Sequence, residues 1–227
     1  MRALVIVAVN EELDAVLGSR ERASIDGPAQ GCCTTTPAGE LVVVVGGVGM
    51  AAAAAVTAVL LARSSYDVVI SAGIAGGFDA APIGSAVVAH TAIAADFGLQ
   101  TEDAFVSIAA LGYGVDRYDV EPRWADAIAA RVLSAGLPLV RGDVATVATI
   151  TGTAAGATRI GRDGAVAEAM EGFAVATAAA MFSVPFAEVR TVSNAVGARD
   201  VSAWRIDDAL AALASAFDAI AAEPWPW

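Results

Sequence analysis

Residues 41–62 read LVVVVGGVGMAAAAAVTAVLLA, and this stretch decides the fold class. The β-branched run at 41–45 is typical of a buried strand, and the alanine-rich run at 50–62 favours a helix. The whole stretch carries no charge and is about long enough to span a bilayer. Its glycines at 46–49 nevertheless divide it into two short elements. The stretch therefore predicts a strand, a tight turn and a helix packed on that strand, with no membrane span.

The same alternation continues along the chain. Seven apolar runs predict strands, at residues 3–9, 41–45, 68–72, 85–95, 144–150, 164–167 and 186–192. Five further runs predict helices, at residues 11–17, 50–62, 124–135, 171–182 and 206–222. Fully apolar strands in this alternation indicate an α/β fold with a mostly parallel or mixed central sheet and helices on both faces. Because 227 residues suit one such unit, we expect a single domain over residues 1–227, with ligands bound beyond the carboxyl ends of the strands.

The charged residues exclude several kinds of function. The formal net charge of -12 argues against a nucleic-acid partner, since phosphate neutralisation needs a basic patch, but it permits an uncharged nucleoside. The chain has no lysine, so a P-loop lysine, a Schiff base and a Ser-Lys dyad are impossible. Its one histidine, His90, rules out multi-histidine metal sites. We expect neither a metal nor an organic cofactor.

The chain ends and the cysteines predict the location of the protein. The opening MRALVIVAVNEE is too short and too soon acidic for a signal peptide. Cys32 and Cys33 are adjacent and have no other cysteine to pair with, which favours a reducing cytoplasm. The closing EPWPW cannot extend the last helix, because two of its five residues are proline. We expect it to pack on the surface or against a partner.

A glycine-rich turn follows the strand at 41–45. Residues 47–52, GVGMAA, match the dinucleotide pattern G-x-G-x-x-A between a strand and a helix. That pattern also requires an acid at the end of the next strand, and the next strand ends in Ser71-Ala72. We therefore expect no nicotinamide or flavin site. The turn either lets the backbone approach another ligand or starts a tightly packed helix.

A second glycine-rich segment, residues 73–77, reads GIAGG after the strand at 68–72. We expect a loop whose backbone N–H groups, including those of Ala75 and Gly76, can face a substrate without obstruction by side chains. A plain tight turn is the alternative. A phosphate site would call for a nearby arginine, and none occurs between Arg63 and Arg117. This favours water as the attacking group.

Glu11 and Glu12 follow the first predicted strand. Glutamates at the start of a helix complement its dipole, which by itself explains their presence. At the carboxyl end of a strand facing a cleft, one of these carboxylates can instead activate water as a general base. The residues alone leave both interpretations open.

Two further pairs point to chemistry on a purine nucleoside. Met170-Glu171 lies in a Met-Glu-Gly turn before an alanine-rich helix, and Ser193-Asn194 ends the apolar strand about one βα unit later. A buried carboxylate in the first pair can hold sugar hydroxyls. The amide in the second pair can read the edge of a purine.

Four segments occur in the order found in nucleoside phosphorylases and nucleosidases, namely AVNEEL, SAGIAGGF, AEAMEGFAVA and VRTVSNAVGARD. The chain resembles that superfamily over nearly its whole length. Two segments, ADFGLQTEDAF and SNAVGARDVSAWRI, more specifically resemble futalosine hydrolases, the nucleosidases of the alternative menaquinone pathway. The resemblance implies a nucleoside phosphorylase-like fold, hydrolysis of futalosine to hypoxanthine and dehypoxanthine futalosine, and a homodimer or higher oligomer.

The resemblance also implies roles for individual residues. Glu12 falls on the water-activating carboxylate, and Met170 and Glu171 fall on the pair that packs under the ribose and holds its hydroxyls. Asn194 falls on a position that is aspartate in methylthioadenosine nucleosidases. The candidate catalytic residues are therefore Glu12, Glu171 and Asn194. The candidate substrate contacts are Ala75, Gly76, Ile150, Met170, Glu171, Ser193, Asn194 and Arg199.

Asparagine at position 194 favours hypoxanthine over adenine. Adenine offers an N6 donor and an N7 acceptor, whereas a 6-oxopurine offers an O6 acceptor and gains an N7–H as it leaves, which matches an amide. Asparagine has no proton to deliver, so the N7 proton must come from solvent or a neighbour. Arg199 is the first candidate for the distal carboxylate of the substrate and Arg205 the second. Asp200 can orient Arg199 or cap the segment before the last helix.

Two other classes of function remain open. The first is another purine nucleosidase or phosphorylase of the superfamily, acting on methylthioadenosine, adenosylhomocysteine or inosine. The second is a nucleoside-binding module without catalytic activity. An adenine nucleosidase would carry aspartate at position 194, and a phosphorylase would need an arginine for phosphate.

Overall fold

A computed structural model describes residues 1–161 and 164–227. Its strands are β1 (Arg2–Val7), β2 (Ala23–Ser24), β3 (Gly31–Thr36), β4 (Gly39–Val45), β5 (Val68–Gly77), β6 (Ala86–Ala94), β7 (Gly98–Gln100), β8 (Phe105–Ser107), β9 (Arg117–Asp119), β10 (Leu139–Thr146), β11 (Ala165–Ala169) and β12 (Phe186–Ala195). Its helices are α1 (Asn10–Leu17), α2 (Met50–Arg63), α3 (Pro122–Ser134), α4 (Ala154–Gly161), α5 (Gly172–Met181) and α6 (Ile206–Ala221), with a 3-10 turn at Val201–Ala203 before α6.

The central sheet has the strand order β11-β10-β6-β12-β5-β1-β4-β3-β2, and β9 pairs with β6 beside this path. Strands β4, β1, β5 and β12 run parallel, which their almost entirely buried apolar side chains require. Strand β12 pairs antiparallel with β6, so the sheet is mixed. This confirms the predicted α/β class with a mixed central sheet.

The sheet also closes on itself. Strand β11 pairs with β10 on one side and with β5 on the other, which completes the ring β5-β12-β6-β10-β11. Helices α2 and α5 pack together, while α1 and α3 pack against α6. Both groups contact β5, one from each side of the sheet. None of the helices in the described ranges is both long and apolar enough to cross a bilayer.

Two predicted elements need correction. Residues 73–77 are not a loop, because they continue β5 and pair with β11 at Glu168 and with β12 up to Ala195, with a register shift in β12 between Val192 and Asn194. The strand predicted at 144–150 begins at Leu139 and ends at Thr146. Beyond it, the N–H groups of residues 148 and 149 donate to the Asp96 carboxylate, at 2.8 and 3.1 Å, and the chain leaves the sheet.

The C-terminal tail packs on the surface of its own chain. The Trp225 ring lies edge-on to Trp124, with 4.7 Å between ring centroids, and the Arg131 guanidinium covers its face at 3.9 Å. Arg131 also donates to the backbone carbonyl groups of Ile220 and Pro224. These contacts fix the tail to α3 at the end of the sheet where β1 begins.

We expect Trp225→Ala to lower the free energy of unfolding by about 1–3 kcal/mol, because the buried ring and its cation–π contact are lost together. Chemical denaturation measures this change. Trp227→Ala is the matched control, since that ring is 51% exposed and its removal is expected to have a smaller effect. Equal effects of the two substitutions would contradict the role given to Trp225.

Candidate active site

A cavity of about 260 Å³ opens where β1, β5, β11 and β12 end. Its wall contains all of the candidate catalytic residues and substrate contacts, namely Glu12, Ala75, Gly76, Ile150, Met170, Glu171, Ser193, Asn194 and Arg199. These residues are up to 187 positions apart in the chain (199 less 12). Arg205, the second candidate for the substrate carboxylate, does not line the cavity. The parallel strands β1, β5 and β12 end at this edge of the sheet, as the strand-end rule for α/β folds predicts. Strand β11 runs antiparallel to β5 and ends beside the last residues of β5.

Glu12, and not Glu11, faces this cavity. Glu11 is exposed, whereas Glu12 is 3% exposed and lies at the third position of α1. One carboxylate oxygen, Oε2, accepts hydrogen bonds from the N–H groups of Ala8 and Val9, at 2.8 and 3.3 Å. The other, Oε1, accepts from the N–H of Ile74 at 2.9 Å. The carboxylate is therefore held in one orientation by the backbone of β5 and of the turn after β1.

The glycines of β5 allow the Glu12 carboxylate and other polar side chains to lie close to the strand backbone. A Cβ at Gly73 would overlap the Glu12 carboxylate, and a Cβ at Gly76 would lie 2.8 Å from Val196 and 3.2 Å from the Asn194 amide nitrogen. The segment thus brings backbone N–H groups and polar side chains close together, and the N–H of Ile74 binds the Glu12 carboxylate. It does so as a paired strand, since its own carbonyl and N–H groups are also used by β12 and β11.

Glu171 is held by three groups from different parts of the chain. Its Oε1 accepts from the N–H of Gly49 at 3.0 Å, and its Oε2 accepts from the N–H of Met170 at 3.3 Å. The Arg190 guanidinium lies 3.5 Å from Oε2. Gly49 has φ of 90°, a backbone conformation that favours glycine, and it precedes the first residue of α2. The glycine turn at 47–52 therefore serves a carboxylate of this cavity.

Arg190 and Glu188 complete a buried ionic cluster that the sequence analysis missed. Both side chains are almost fully buried, and Arg190 Nε donates to Glu188 Oε1 at 2.9 Å while its Nη2 donates to Ser71 Oγ at 2.8 Å. Gly172 leaves room for the Glu188 carboxylate, which a Cβ at that position would overlap. The sequence pattern that could have indicated this cluster is FAEVRTV at residues 186–192, where two opposite charges lie at i and i+2 in an otherwise apolar strand.

One guanidinium faces three carboxylates in this cluster, and burial opposes their ionisation. Burial raises the pKa of Glu12 above its ordinary value of 4.5, although Arg190 and the N–H groups of Ile74 and Ala8 oppose the shift. Burial also raises the pKa of Glu188. One of its oxygens, Oε2, has no hydrogen-bond partner among the residues that the structure describes. Glu12 is consequently a stronger proton acceptor than an ordinary glutamate.

Asn194 presents an oriented amide to the cavity. Its Oδ1 accepts from the Ser193 hydroxyl at 2.8 Å, and its Nδ2 donates to the carbonyl of Ala195 at 3.1 Å. These two contacts assign the amide oxygen and nitrogen. Each atom retains hydrogen-bonding capacity, so the side chain can donate to and accept from a ligand.

The two candidate arginines lie in different environments. Arg199 lines the cavity, and its guanidinium lies 5.7 Å from the centre of the Trp204 ring. Arg205 forms an ion pair with Asp208 on α6. Asp200 caps the 3-10 turn, because its Oδ1 accepts from the backbone N–H and the hydroxyl of Ser202. Of the two arginines, therefore, only Arg199 lines the cavity, and the structure confirms the capping role of Asp200.

Ile150 and Thr151 lie on a connection held by two acidic side chains. Asp96 binds the backbone at residues 148 and 149, and Glu168 accepts from the backbone N–H and the hydroxyl of Thr151. The sequence analysis did not identify Glu168, although it lines the cavity and is 7% exposed. Within residues 1–161 and 164–227, no three histidine, cysteine, aspartate or glutamate side chains form a group that could hold a metal ion.

Comparison with known proteins identifies the family of this chain. The family model of the phosphorylase superfamily matches residues 2–223, and the chain belongs to this superfamily. It is 42% identical to a futalosine hydrolase of Acidothermus cellulolyticus over 224 residues, which cover 98% of this chain and 91% of that protein. It is 49% identical to a futalosine hydrolase of Streptomyces coelicolor over 159 residues, or 69% of this chain and 66% of that protein. The solved structure of futalosine hydrolase from Helicobacter pylori superposes with a TM-score of 0.85 at 16% identity, covering 97% of each chain.

Proposed function

We propose that this protein is an N-ribosyl hydrolase that cleaves futalosine to hypoxanthine and dehypoxanthine futalosine. The observation that carries the proposal is the placement of Glu12, Glu171 and Asn194 on one cavity wall. The 42% identity to the Acidothermus futalosine hydrolase over almost the whole chain supports the choice of substrate.

Glu171 and Met170 hold the ribose in this proposal. Both carboxylate oxygens of Glu171 already accept one backbone N–H each, which leaves further lone pairs for the sugar hydroxyls. The Arg190 guanidinium lies 3.5 Å from Oε2 and helps to orient this carboxylate. A negative charge under the sugar favours the oxocarbenium-like centre that develops at C1′ as the base departs.

Glu12 activates the attacking water. The water oxygen forms a bond to C1′, its proton passes to the Glu12 carboxylate, and the C1′–N9 bond breaks with its electron pair going to the base. Glu12 suits this step because burial raises its pKa, and a base is most effective when its pKa is near the working pH. The three backbone N–H groups that bind Glu12 hold it in place.

Asn194 recognises the departing hypoxanthine. Its Nδ2 donates to O6, and its Oδ1 accepts the N7–H that the base gains. The proton on N7 comes from solvent, because an amide has none to give. Stabilisation of the leaving base therefore rests on hydrogen bonds and not on proton transfer from this side chain.

Two observations support water over phosphate as the attacking group. The cavity wall contains one arginine among the residues described, Arg199, and we assign it to the distal carboxylate of futalosine. Arg190 also lies nearby, although it is distant in sequence from the glycine-rich segment. Its guanidinium already contacts Glu188, Glu171 and Ser71. A phosphate ion would have to compete with two buried carboxylates for it.

The location, assembly and partners of the enzyme can be inferred from the same family and from its charge and cysteines. We infer a cytoplasmic homodimer or higher oligomer of the alternative menaquinone pathway that binds no nucleic acid and needs no cofactor. The net charge of -12 supports the inference on nucleic acid. Cys32 and Cys33 are both free, which supports a reducing compartment.

Purified protein incubated with futalosine, inosine and methylthioadenosine, each with and without phosphate, tests the proposal. Chromatography of the released bases is expected to show hypoxanthine from futalosine, independent of phosphate. Adenine release or a phosphate requirement would identify another nucleosidase or a phosphorylase of the superfamily. Tight nucleoside binding without base release would identify a binding module.

Asn194→Asp is expected to shift base preference toward adenine nucleosides by at least about 10-fold in the ratio of kcat/KM values. A protonated aspartate donates to the N7 acceptor of adenine, whereas the amide complements O6 and N7–H of hypoxanthine. Futalosine and its 6-amino counterpart are the substrates to compare. Asn194→Ala serves as the control, because it should lower both rates without reversing the preference. An unchanged ratio in Asn194→Asp would contradict the assignment.

A further inference from the structure

Glu168 is a buried acceptor in the cavity wall that the proposed reaction does not use. Thr151 binds both of its carboxylate oxygens: the backbone N–H donates to Oε1 at 3.0 Å, and the hydroxyl donates to Oε2. A carboxylate offers about four lone-pair positions, and Thr151 uses two of them. Glu168 therefore has lone pairs left to accept hydrogen bonds from a ligand, and it lines the same cavity as Asn194.

Strand register places Glu168 and Asn194 on either side of one glycine. Glu168 pairs with Gly76 from β11, and Asn194 pairs with Gly76 from β12. Residues directly opposite on neighbouring strands point to the same face of a sheet, and two strand spacings separate the outer residues by roughly 10 Å. Gly76 itself has no side chain, and the space above it is bordered by Val196 and by the Asn194 amide, 2.8 and 3.2 Å from the position of a Cβ. Glu168, Val196 and Asn194 all line the cavity beside this glycine.

The two side chains complement adjacent positions on a 6-oxopurine. Such a base has an N1–H donor next to its O6 acceptor, and N7 lies on the far side of O6. With Asn194 on O6 and N7, the N1–H falls toward Glu168. Adenine instead has a lone pair at N1, which a carboxylate repels.

We propose that Glu168 is a specificity-determining residue that accepts the N1–H of hypoxanthine and rejects 6-aminopurines. The inference rests on the proposed nucleosidase function and extends it to a second base-reading side chain. Asn194 then binds O6 and N7–H of the base, and Glu168 binds the adjacent N1–H.

The kcat/KM values for futalosine and for its 6-amino counterpart test the proposal in four proteins: wild type, Glu168→Gln, Glu168→Val and Thr151→Val. Loss of a hydrogen bond to a charged group predicts that Glu168→Val lowers the value for futalosine by about 10- to 100-fold, with little loss for the amino substrate. Glu168→Gln is expected to accept both substrates, because an amide can turn either its oxygen or its nitrogen toward N1.

Thr151→Val separates base recognition from support of the connection at residues 147–151. It removes the hydroxyl contact and keeps the carboxylate, so the ratio of the two kcat/KM values is expected to stay within about 3-fold of wild type. A ratio that changes as much in Thr151→Val as in Glu168→Val would overturn the proposal. So would an unchanged ratio in both Glu168 variants.

A binding measurement on the wild type remains decisive even if a variant fails to fold. Calorimetry is expected to show at least about 10-fold weaker binding of 1-methylhypoxanthine than of hypoxanthine, since methylation removes the N1–H. Glu168→Val, where it folds, is expected to bind the two bases alike. Equal binding by the wild type would overturn the role of Glu168. Futalosine hydrolysis by the wild type tests the proposed function separately, because it does not depend on this preference.

Discussion

Glu12→Gln is expected to lower kcat on futalosine by at least about 100-fold while the protein stays folded. Glutamine has nearly the same shape, but it cannot take a proton from water. Its one amide oxygen can replace either Oε2, which accepts from Ala8, or Oε1, which accepts from Ile74, so one backbone N–H loses its acceptor. Glu11→Gln is the matched control, since Glu11 is the exposed neighbour on the same helix and should retain activity. Turnover of Glu12→Gln close to that of the wild type would remove Glu12 from the mechanism.

The role of Glu12 also predicts how kcat/KM and the free energy of unfolding depend on pH. Because burial raises its pKa in the folded state, the acidic limb of kcat/KM should lie above 4.5, the ordinary value for glutamate. The folded protein holds this proton more tightly than the unfolded chain. The resulting stabilisation is complete below the unfolded pKa and is lost as pH rises through the folded pKa. Glu12→Gln has no such group, so its free energy of unfolding should fall less over that pH interval.

Glu171→Gln is expected to reduce turnover on the same scale for a different reason. The substitution removes the negative charge opposite C1′ and leaves the Arg190 guanidinium facing an uncharged amide. The loss should therefore appear in kcat even at saturating substrate. A change confined to KM would assign Glu171 to ribose binding alone.

Arg190→Met is expected to lower the free energy of unfolding by about 3–5 kcal/mol, the scale for breaking a buried ion pair. Glu188 and Glu171, both buried, would lose their cationic partner, and Glu188 already has one oxygen without a hydrogen-bond partner in the described part of the chain. Since folded domains are stable by only about 5–15 kcal/mol, this is a large fraction of the total. Denaturant titration of the variant and the wild type measures it.

Two controls isolate the buried charge as the cause. The double variant Arg190→Met/Glu188→Val removes both partners and is expected to recover much of the loss, because an apolar pair needs no counter-charge. Arg141→Met breaks the exposed ion pair with Asp126 and should change the free energy of unfolding by about 0.5 kcal/mol or less. The Arg190→Met defect should also shrink as pH falls, since protonation relieves the unpaired carboxylates. A defect independent of pH and unchanged in the double variant would contradict this explanation.

Local sequence patterns were sufficient to identify most elements of the fold. The valine run of β4, the alanine-rich α2 and the apolar β12 each carry their own periodicity and length, so their class follows from nearby residues. The GIAGG segment was misassigned because glycine is common in loops. Whether it is a strand depends on β11 and β12 lying beside it, and those partners are about 90 to 120 residues away in the chain.

The sequence by itself determined the α/β class, the strand-end position of the site and the residue types in it, because each depends on composition, local periodicity or a recognisable motif. The tertiary structure decided that Glu12 and not Glu11 faces the cavity, that Arg190 joins three glutamates, and that Glu168 and Asn194 flank Gly76. These relations depend on strand register and burial. A shift of one residue in register would turn the strand residues Glu168, Arg190 and Asn194 to the other face of the sheet, and no pattern within a single strand specifies which partner lies opposite. Glu12 lies in α1, so its orientation depends on how that helix packs against the sheet.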